Sequence, residues 1–470
     1  MDIKDILKGS IDDQISALKS GRQKDQPDIE DIKKKIDPEG HDIMDVTIRR
    51  DKQSEDENGN PVTLSVCRTA LALQWTIIER AVAFMFGNEV KLQPSIEGDI
   101  VDSIMKAISR INKDNKIDSI NREVARSLFT ATEVAEYWYT AKTDPNERYG
   151  FKSPNELKCK IFSPLNGDTL YPYFDEYGKM IAFSRAFQMK SGEKTIDFFE
   201  TWTSESYFRW KKDESDWVED QPELPLVIKK IPIVYATQDH PEYYRVQTLI
   251  DRLETILSNL GDTNDYFSSP FLLINGQIES MPKKGTAGRL LQAIDGQDQP
   301  ASAEYVSWDR SPESLKLEIE TLLRQIFSLT QTPDISFESV KGIGSAASGT
   351  SLKLLFMDPH LKVQNKMEIL DSYLTRRSNI QLAFLSLMNK PYATTILNLA
   401  IDNIVTPYMI GSDTDTIENL VSAVNNKIMS RQTAVSLNPL VDNAEEEVTR
   451  LETEANSAEA LDDQQNEEED

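Results

Sequence analysis

The chain has 470 residues, enough to bury a sizeable core and to hold more than one domain. Its net charge of −26 argues against a tight nucleic-acid binder, since such affinity comes from cations displacing phosphate counterions. A chain of this charge can still surround DNA without holding it. Two cysteines, Cys67 and Cys159, suggest neither a disulfide framework nor a zinc cluster, as expected for reduced, cytosolic assembly. The N-terminus has no apolar h-region, so no signal peptide is expected.

Residues 1–60 are polar and charged and read as a short helix followed by a loosely held arm. The run from Asp56 to Pro61 is a turn signal. A helix is expected from Thr63 to Phe86, stopping at Gly87-Asn88. Its apolar stretch, Ala70 to Phe86, is broken by Glu79-Arg80 and reads as a buried helix, too interrupted for a membrane span. A strand Val90–Gln93 follows. Then come two helices, Ile100–Ile111 and Ile117–Thr130, with apolar residues at helical spacing (Ile104, Ile108, Ile111; Ile120, Val124, Leu128).

From Ala131 to Val234 the pattern changes to strands. The clearest are Ala135–Tyr139, Lys158–Phe162, Leu170–Phe174 turning into Met180–Phe183, a hairpin of Phe198–Trp202 with Ser206–Trp210, and Ile231–Tyr235. The aromatic residues Phe198, Phe199, Trp202, Tyr207, Phe208, Trp210 and Trp217 offer a sugar- or base-stacking platform on one reading, and on the favoured one they fill a core or interface. Glu200, Glu205, Asp213, Glu214 and Asp216 stand beside them and would repel a phosphate backbone.

Helices then return. Tyr243–Asn264 carries a single apolar stripe of Val246, Leu249, Leu253, Ile256 and Leu260. Phe271–Gly276 reads as strand and turn, and 277–310 mixes Gly, Pro, Lys and Asp around a short Arg289–Ile294 segment. Ser311-Pro312 caps a second amphipathic helix, striped by Leu315, Ile319, Leu322 and Ile326. A third helix starts at Ser351 or Asp358-Pro359 and runs to Met388, long enough to cross several layers of an assembly. Ile396–Tyr408 reads as a strand pair or extended return. Capping-box spacings at Asp415–Glu418 and Asp442–Glu445, with Ser430 between them, indicate a small helical domain. From Ala444 onward twelve Asp/Glu face one Arg, and Asp462–Asp470, with no apolar residue, is expected to be disordered.

Catalytic signatures are weak. Gly344–Ser351 has P-loop spacing, but Thr350 stands where the phosphate-neutralising Lys belongs and Lys353 comes one turn late. A Gly- and Ser-rich loop ahead of a helix explains the same residues. His41, His240 and His360 are isolated, and no Gly-x-Ser-x-Gly elbow is present. Basic residues gather modestly at Lys283, Lys284 and Arg289, and near Lys341.

The order of these segments resembles bacteriophage portal proteins of the SPP1-like type. The resemblance covers roughly residues 60–456. It rests on Phe84-Met85-Phe86-Gly87-Asn88-Glu89-Val90, the tyrosine-rich strand block, and Ile231-Pro232-Ile233-Val234 ahead of a helix with Leu249-Ile250-Asp251. It continues with Ser348-Gly349-Thr350-Ser351-Leu352-Lys353 and ends with Ile428–Thr433, Asn438–Asp442 and Glu445–Glu447.

What the resemblance implies is an α+β, multi-domain subunit of a ring, in the family usually a dodecamer, at one capsid vertex of the virion, assembled in the host cytoplasm. It implies an N-terminal arm (1–60), a strand-rich wing (61–242), a stem helix (243–270) and a small α/β clip (271–310). It further implies a second stem helix (311–334), a tunnel loop (335–350), a long wing helix with return strands (351–410), a helical crown (411–456) and an acidic tail (457–470). The ring would pass dsDNA and meet the large terminase, head-completion or neck adaptor protein, and the major capsid and scaffolding proteins, with no membrane contact. It implies no catalytic activity, cofactor or metal, the motor hydrolysing ATP. Lys341, Gly342, Gly344, Ser345 and Ser348 would face DNA, and Lys283, Lys284 and Arg289 would dock partners at the clip. An acidic ring repels a duplex at long range and lets it slide, with Lys341 as one weak phosphate contact. The competing readings are a nucleotide-binding enzyme using Gly344–Ser351 and a non-viral interaction scaffold.

Overall fold

A computed structural model describes residues 3–22, 26–56, 58–192, 194–267, 312–333, 356–408, 413–441, 443–444 and 446–454, and the backbone of four strands between 271 and 306. Its described residues mix helices and strands in separate blocks. Three helices come first: α1 (Ile3–Ile6), α2 (Ile11–Ser20) and α3 (Ile29–Ile36). Strands β1 (Lys52–Glu55) and β2 (Pro61–Leu64) form a hairpin. Next are α4 (Leu73–Phe86), β3 (Lys91–Pro94), α5 (Asp99–Asp114) and α6 (Ile117–Ala131).

The strand block contains β4 (Glu133–Asn146), β5 (Ser153–Phe162), β6 (Thr169–Phe174), β7 (Met180–Ser191), β8 (Lys194–Thr203), β9 (Ser206–Asp213), β10 (Asp216–Pro225) and β11 (Ile233–Thr237). Strands β6 to β10 form an antiparallel meander, and β11, β4 and β5 form a separate three-stranded sheet. The chain continues through α7 (Gln247–Phe267) to four short strands, β12 (Phe271–Asn275), β13 (Gln277–Ser280), β14 (Gln292–Ile294) and β15 (Ser302–Val306). β12 pairs with β15 and β13 with β14. Then come α8 (Pro312–Leu329), α9 (Met357–Met388), α10 (Ala393–Ile396) and β16 (Ile401–Ile404), which pairs with β3. Then come α11 (Asp413–Asn425) and α12 (Arg431–Ser436), and residues 446–454 are helical.

The chain divides into two compact units. The first holds residues 1–332 and 361–407, the second 333–360 and 408–470. In the first, one apolar core joins the inner faces of α4, α5, α6, α7 and α9 to Val134, Trp138 and Val234 of the small sheet. The periodicity of α5 foretells its share, since Ile104, Ile108 and Ile111 are all buried. In the second unit, Ser430 caps α12 by accepting the Thr433 N–H at 3.1 Å.

The aromatic hairpin is structural. Opposed pairs Phe183/Trp202 and Phe199/Trp210 lie in register, and all four rings are buried. Trp202 packs with Phe162 and Phe183 between the sheets, while Phe199 and Trp210 receive Ile15 and Leu18 of α2.

Several expectations are corrected. The N-terminal segment is not loosely held. Ile6, Ile15, Leu18 and Ile32 are buried, and Arg22 reaches the buried Glu133 carboxylate at 2.7 Å. The helix expected from Thr63 begins at Leu73, because Val62 and Leu64 alternate with polar residues and join a hairpin instead. Of the two readings of Ile396–Tyr408, the extended return holds and the strand pair does not: a single strand, β16, follows α10 and pairs with β3. α11 begins two residues before the expected cap at Asp415. The second capping box includes Asp442 and Glu445, which lie outside the described residues.

Residues 65–71 lie along α7, and Gly261 makes the fit possible. A Cβ there would stand 2.3 Å from Sγ of Cys67. Gly261→Ala should therefore destabilise the full chain by about 1–3 kcal/mol through overpacking. A thermal midpoint equal to the unsubstituted chain would contradict this close approach.

Candidate functional site

Two groups of expected site residues, Lys341, Gly342, Gly344, Ser345 and Ser348, and Lys283, Lys284 and Arg289, lie outside the described residues, as does the P-loop-like segment. What the structure does bring together is a set of buried ionic junctions that tie α9 to the strand block, α9 to the end of α8 and to Glu242 ahead of α7, and the N-terminal segment to α7.

The first is centred on Glu136 of β4, fully buried. Arg377 of α9 grips it with a fork, Nε to Oε1 at 2.8 Å and Nη2 to Oε2 at 2.6 Å. Tyr373, one turn earlier, donates its hydroxyl to Oε2 at 3.1 Å, and the Trp138 indole N–H donates to Oε1. Arg377 also donates to Asn121 Oδ1 of α6 at 2.5 Å. Burial disfavours the Arg377 charge, but the field and hydrogen bonds of Glu136 more than offset it, and its pKa rises. Burial likewise pushes the Tyr373 phenol and the neighbouring Cys159 thiol upward, with Glu136 adding to both. Neither is therefore an activated nucleophile or base. The same face of α9 adds Arg376 to the Ile233 carbonyl at 2.8 Å and Gln381 to Asn112 at 2.8 Å. Five neighbouring side chains thus tie the middle of α9 to α5, α6, β4, β11 and, through Ser378 and Asn403, β16.

The second junction is Glu242, ahead of α7, held by Lys362 at 3.0 Å and by Lys366. Lys362 also donates to the Thr330 carbonyl at the end of α8, at 3.0 Å. Burial disfavours the Glu242 charge, yet the two ammonium groups outweigh it and hold the carboxyl below its usual range. The third junction is His41, whose Nδ1 lies 2.7 Å from Glu254 of α7 and whose Nε2 lies 3.0 Å from the Lys35 carbonyl. Glu254 also accepts the Leu71 N–H at 2.8 Å. Burial works against the imidazolium, but the Glu254 carboxylate and the Lys35 carbonyl raise its pKa above the ordinary value.

Each of these buried carboxylates is met by a cation, so the arrangement positions elements and leaves no free acid–base pair. No group of three or more His, Cys, Asp or Glu is placed to hold a metal among the described residues. No described helix is long and apolar enough to cross a membrane. Sequence reasoning missed these junctions because the partners are remote; Glu136 and Arg377 are 241 positions apart.

Removing one partner leaves a buried charge uncompensated. Arg377→Met should cost about 3–5 kcal/mol in chemical denaturation. Glu136→Gln with Arg377→Met should cost less than Arg377→Met alone; additive losses would contradict the pair. The His41 junction has a signed pH dependence. Its folded-state pKa is raised, so its stabilisation is full below about pH 6.5 and is lost as pH rises through the folded value. The penalty of His41→Ala should accordingly be larger near pH 6 than near pH 9. An equal penalty at both would contradict a charged His41.

Comparison with known proteins adds identity. The family described as phage portal protein, SPP1 Gp6-like, matches residues 15–460. The portal protein of Bacillus phage SPP1 is 25% identical over 212 residues. That match covers 44% of this chain and 40% of the relative's length. Among solved structures, a chain in the neck of a native GTA particle aligns with TM-score 0.35 and 11% identity, covering 78% of this chain and 88% of that one. A chain in the neck of an empty GTA particle aligns with TM-score 0.37 and 9% identity, covering 80% and 88%.

Proposed function

The chain belongs to the SPP1 Gp6-like family of phage portal proteins, and from that membership we propose that its copies close into a ring, of twelve subunits, at one vertex of a phage capsid. The carrying observation is a family match that runs nearly the full length of the chain. In this reading dsDNA enters through the ring during packaging and leaves through it at ejection. The large terminase and the neck adaptor dock in turn on the part built from 271–310. The ring itself is not an enzyme.

The chemistry of the subunit suits a passive conduit. α7 and α8 pack side by side, with Arg252 and Glu318 paired at 2.8 Å, and would form the stem around the channel. The Glu242–Lys362–Thr330 junction ties the ends of that pair to α9, which would cross the wing. Force on the stem would then reach the wing through charge-assisted hydrogen bonds instead of a flexible hinge. A net charge of −26 per copy keeps a duplex from being captured at long range. Lys341 would supply an isolated phosphate contact from the tunnel loop at 335–350.

Purified chain should have a mass about twelve times 53.3 kDa by size-exclusion with light scattering. A monomer at every concentration would overturn the ring. Lys341→Ala should leave that mass unchanged while altering packaged DNA length or retention. Unchanged length and retention would remove the phosphate contact.

A further inference from the structure

α11 carries Ile417, Leu420, Val421 and Val424 at the spacing of an amphipathic helix. In α5 the same kind of stripe buries Ile104, Ile108 and Ile111 completely. In α11 it does not. From 413 to 454 no described side chain is buried, and none of the three apolar clusters among the described residues reaches this stretch. Val421 is 53% exposed, and Ile428, just beyond the helix, is 82% exposed. A helix of 13 residues followed by one of 6 is too short to persist without a packed face.

The local backbone is nonetheless specified. Lys427, with φ of 58°, takes the left-handed conformation that ends α11. The Lys427 N–H donates to the Val424 carbonyl and the Ile428 N–H to the Ala423 carbonyl, each at 3.0 Å, so the last carbonyls are satisfied. Ser430 then caps α12. This turn leaves two patches of opposite charge. Glu418 and Val421 are neighbours one turn apart on α11. Lys427, Ile428 and Arg431 stand beyond its end. Glu418, Lys427 and Arg431 are exposed, and none has an ion-pair partner among the described residues. The helical stretch from Glu418 to Asn425, about 10 Å at ~1.5 Å per residue, holds the two patches of one copy apart.

We propose that the Glu418/Val421 patch of one copy receives Lys427, Ile428 and Arg431 of the next copy around the ring, and that this contact supplies the core that α11 and α12 lack alone. The proposal rests on the ring reading above. Two different and complementary patches on one body make a head-to-tail contact, the kind a closed ring repeats. Charge selects the occupant. A valine beside a carboxylate meets an isoleucine between two cations, and both patches belong to this chain. Rotation about the ring axis keeps every residue at its own height, so the patches meet with α11 lying along the circumference. Each copy then covers one neighbour and is covered by the other, and no helical pair in a closed ring is left bare.

The test uses the full chain carrying Glu418→Cys and Arg431→Cys together, with each substitution alone as the baseline. Ring mass is measured first. The thiols are then bridged with a short bismaleimide and the products resolved on denaturing gels. The expected result is a ladder of covalent oligomers from the double variant, several-fold stronger than from either single variant. A double-variant ring whose ladder does not exceed the single variants, or whose bridges close within one copy, would overturn this contact while sparing the ring. Failure of the unsubstituted chain to form any ring would overturn the ring reading itself. If the double variant does not assemble, amide hydrogen exchange on the unsubstituted ring decides instead, since purified ring holds nothing but copies of this chain. Amides of 417–436 should exchange many-fold more slowly than those of the same segment as a free peptide; equal rates would overturn the contact.

Discussion

Glu136 and Arg377 fix a 32-residue helix against a strand block at one rotation and one height. Apolar burial is non-directional; it would let α9 slide or turn over a flat core with modest cost. A two-pronged guanidinium–carboxylate contact does not permit that. Tyr373, Trp138 and Asn121 fill the remaining hydrogen-bonding positions of the pair, so the buried charges are satisfied from three elements. Net stability is not what such a pair supplies best, since desolvation consumes most of the attraction. Its contribution is geometric. Every other junction on α9 depends on the register that this pair sets.

The same principle accounts for the distribution of charge. The buried Glu133 meets Arg22, Asp168 meets Arg185, and Glu242 meets two lysines. Among the described residues each of these buried carboxylates is met by a cation. The surplus of acidic groups is left for the surface and for the stretch after Ala444. Folding and surface potential become separable: buried acids are individually paired, while the acidic outside repels polyanions. In the proposed ring, which would enclose moving DNA, this combination would be useful. Rigid joints transmit force, and an anionic surface avoids a tight grip on phosphate.

Much of the architecture was legible because periodicity is a local property. The stripes of α5, α6, α7 and α8 repeat every three or four residues, and the strand block alternates every second one. The aromatic cluster was legible as core because acidic neighbours made a nucleic-acid platform implausible. The helix expected from Thr63 starts too early because Leu64 looks apolar enough for it unless its spacing of two from Val62 is weighed against three and four. The N-terminal segment hid its attachment because few apolar anchors, Ile15 and Leu18 among them, sit in a polar background. The ionic junctions left no local trace. An arginine 241 positions from its carboxylate looks like any other surface arginine until the fold brings the two together. The residues expected to face DNA and to dock partners lie outside the described residues, so their roles stay with the family resemblance and the experiment on Lys341.

Electron-microscope images of the purified full-length chain, averaged along the particle axis, test the central claim most directly. Closed annuli with rotational symmetry and an open central bore are the predicted result. Particles of single-copy size, or open-ended assemblies without a bore, at every concentration tried would contradict it.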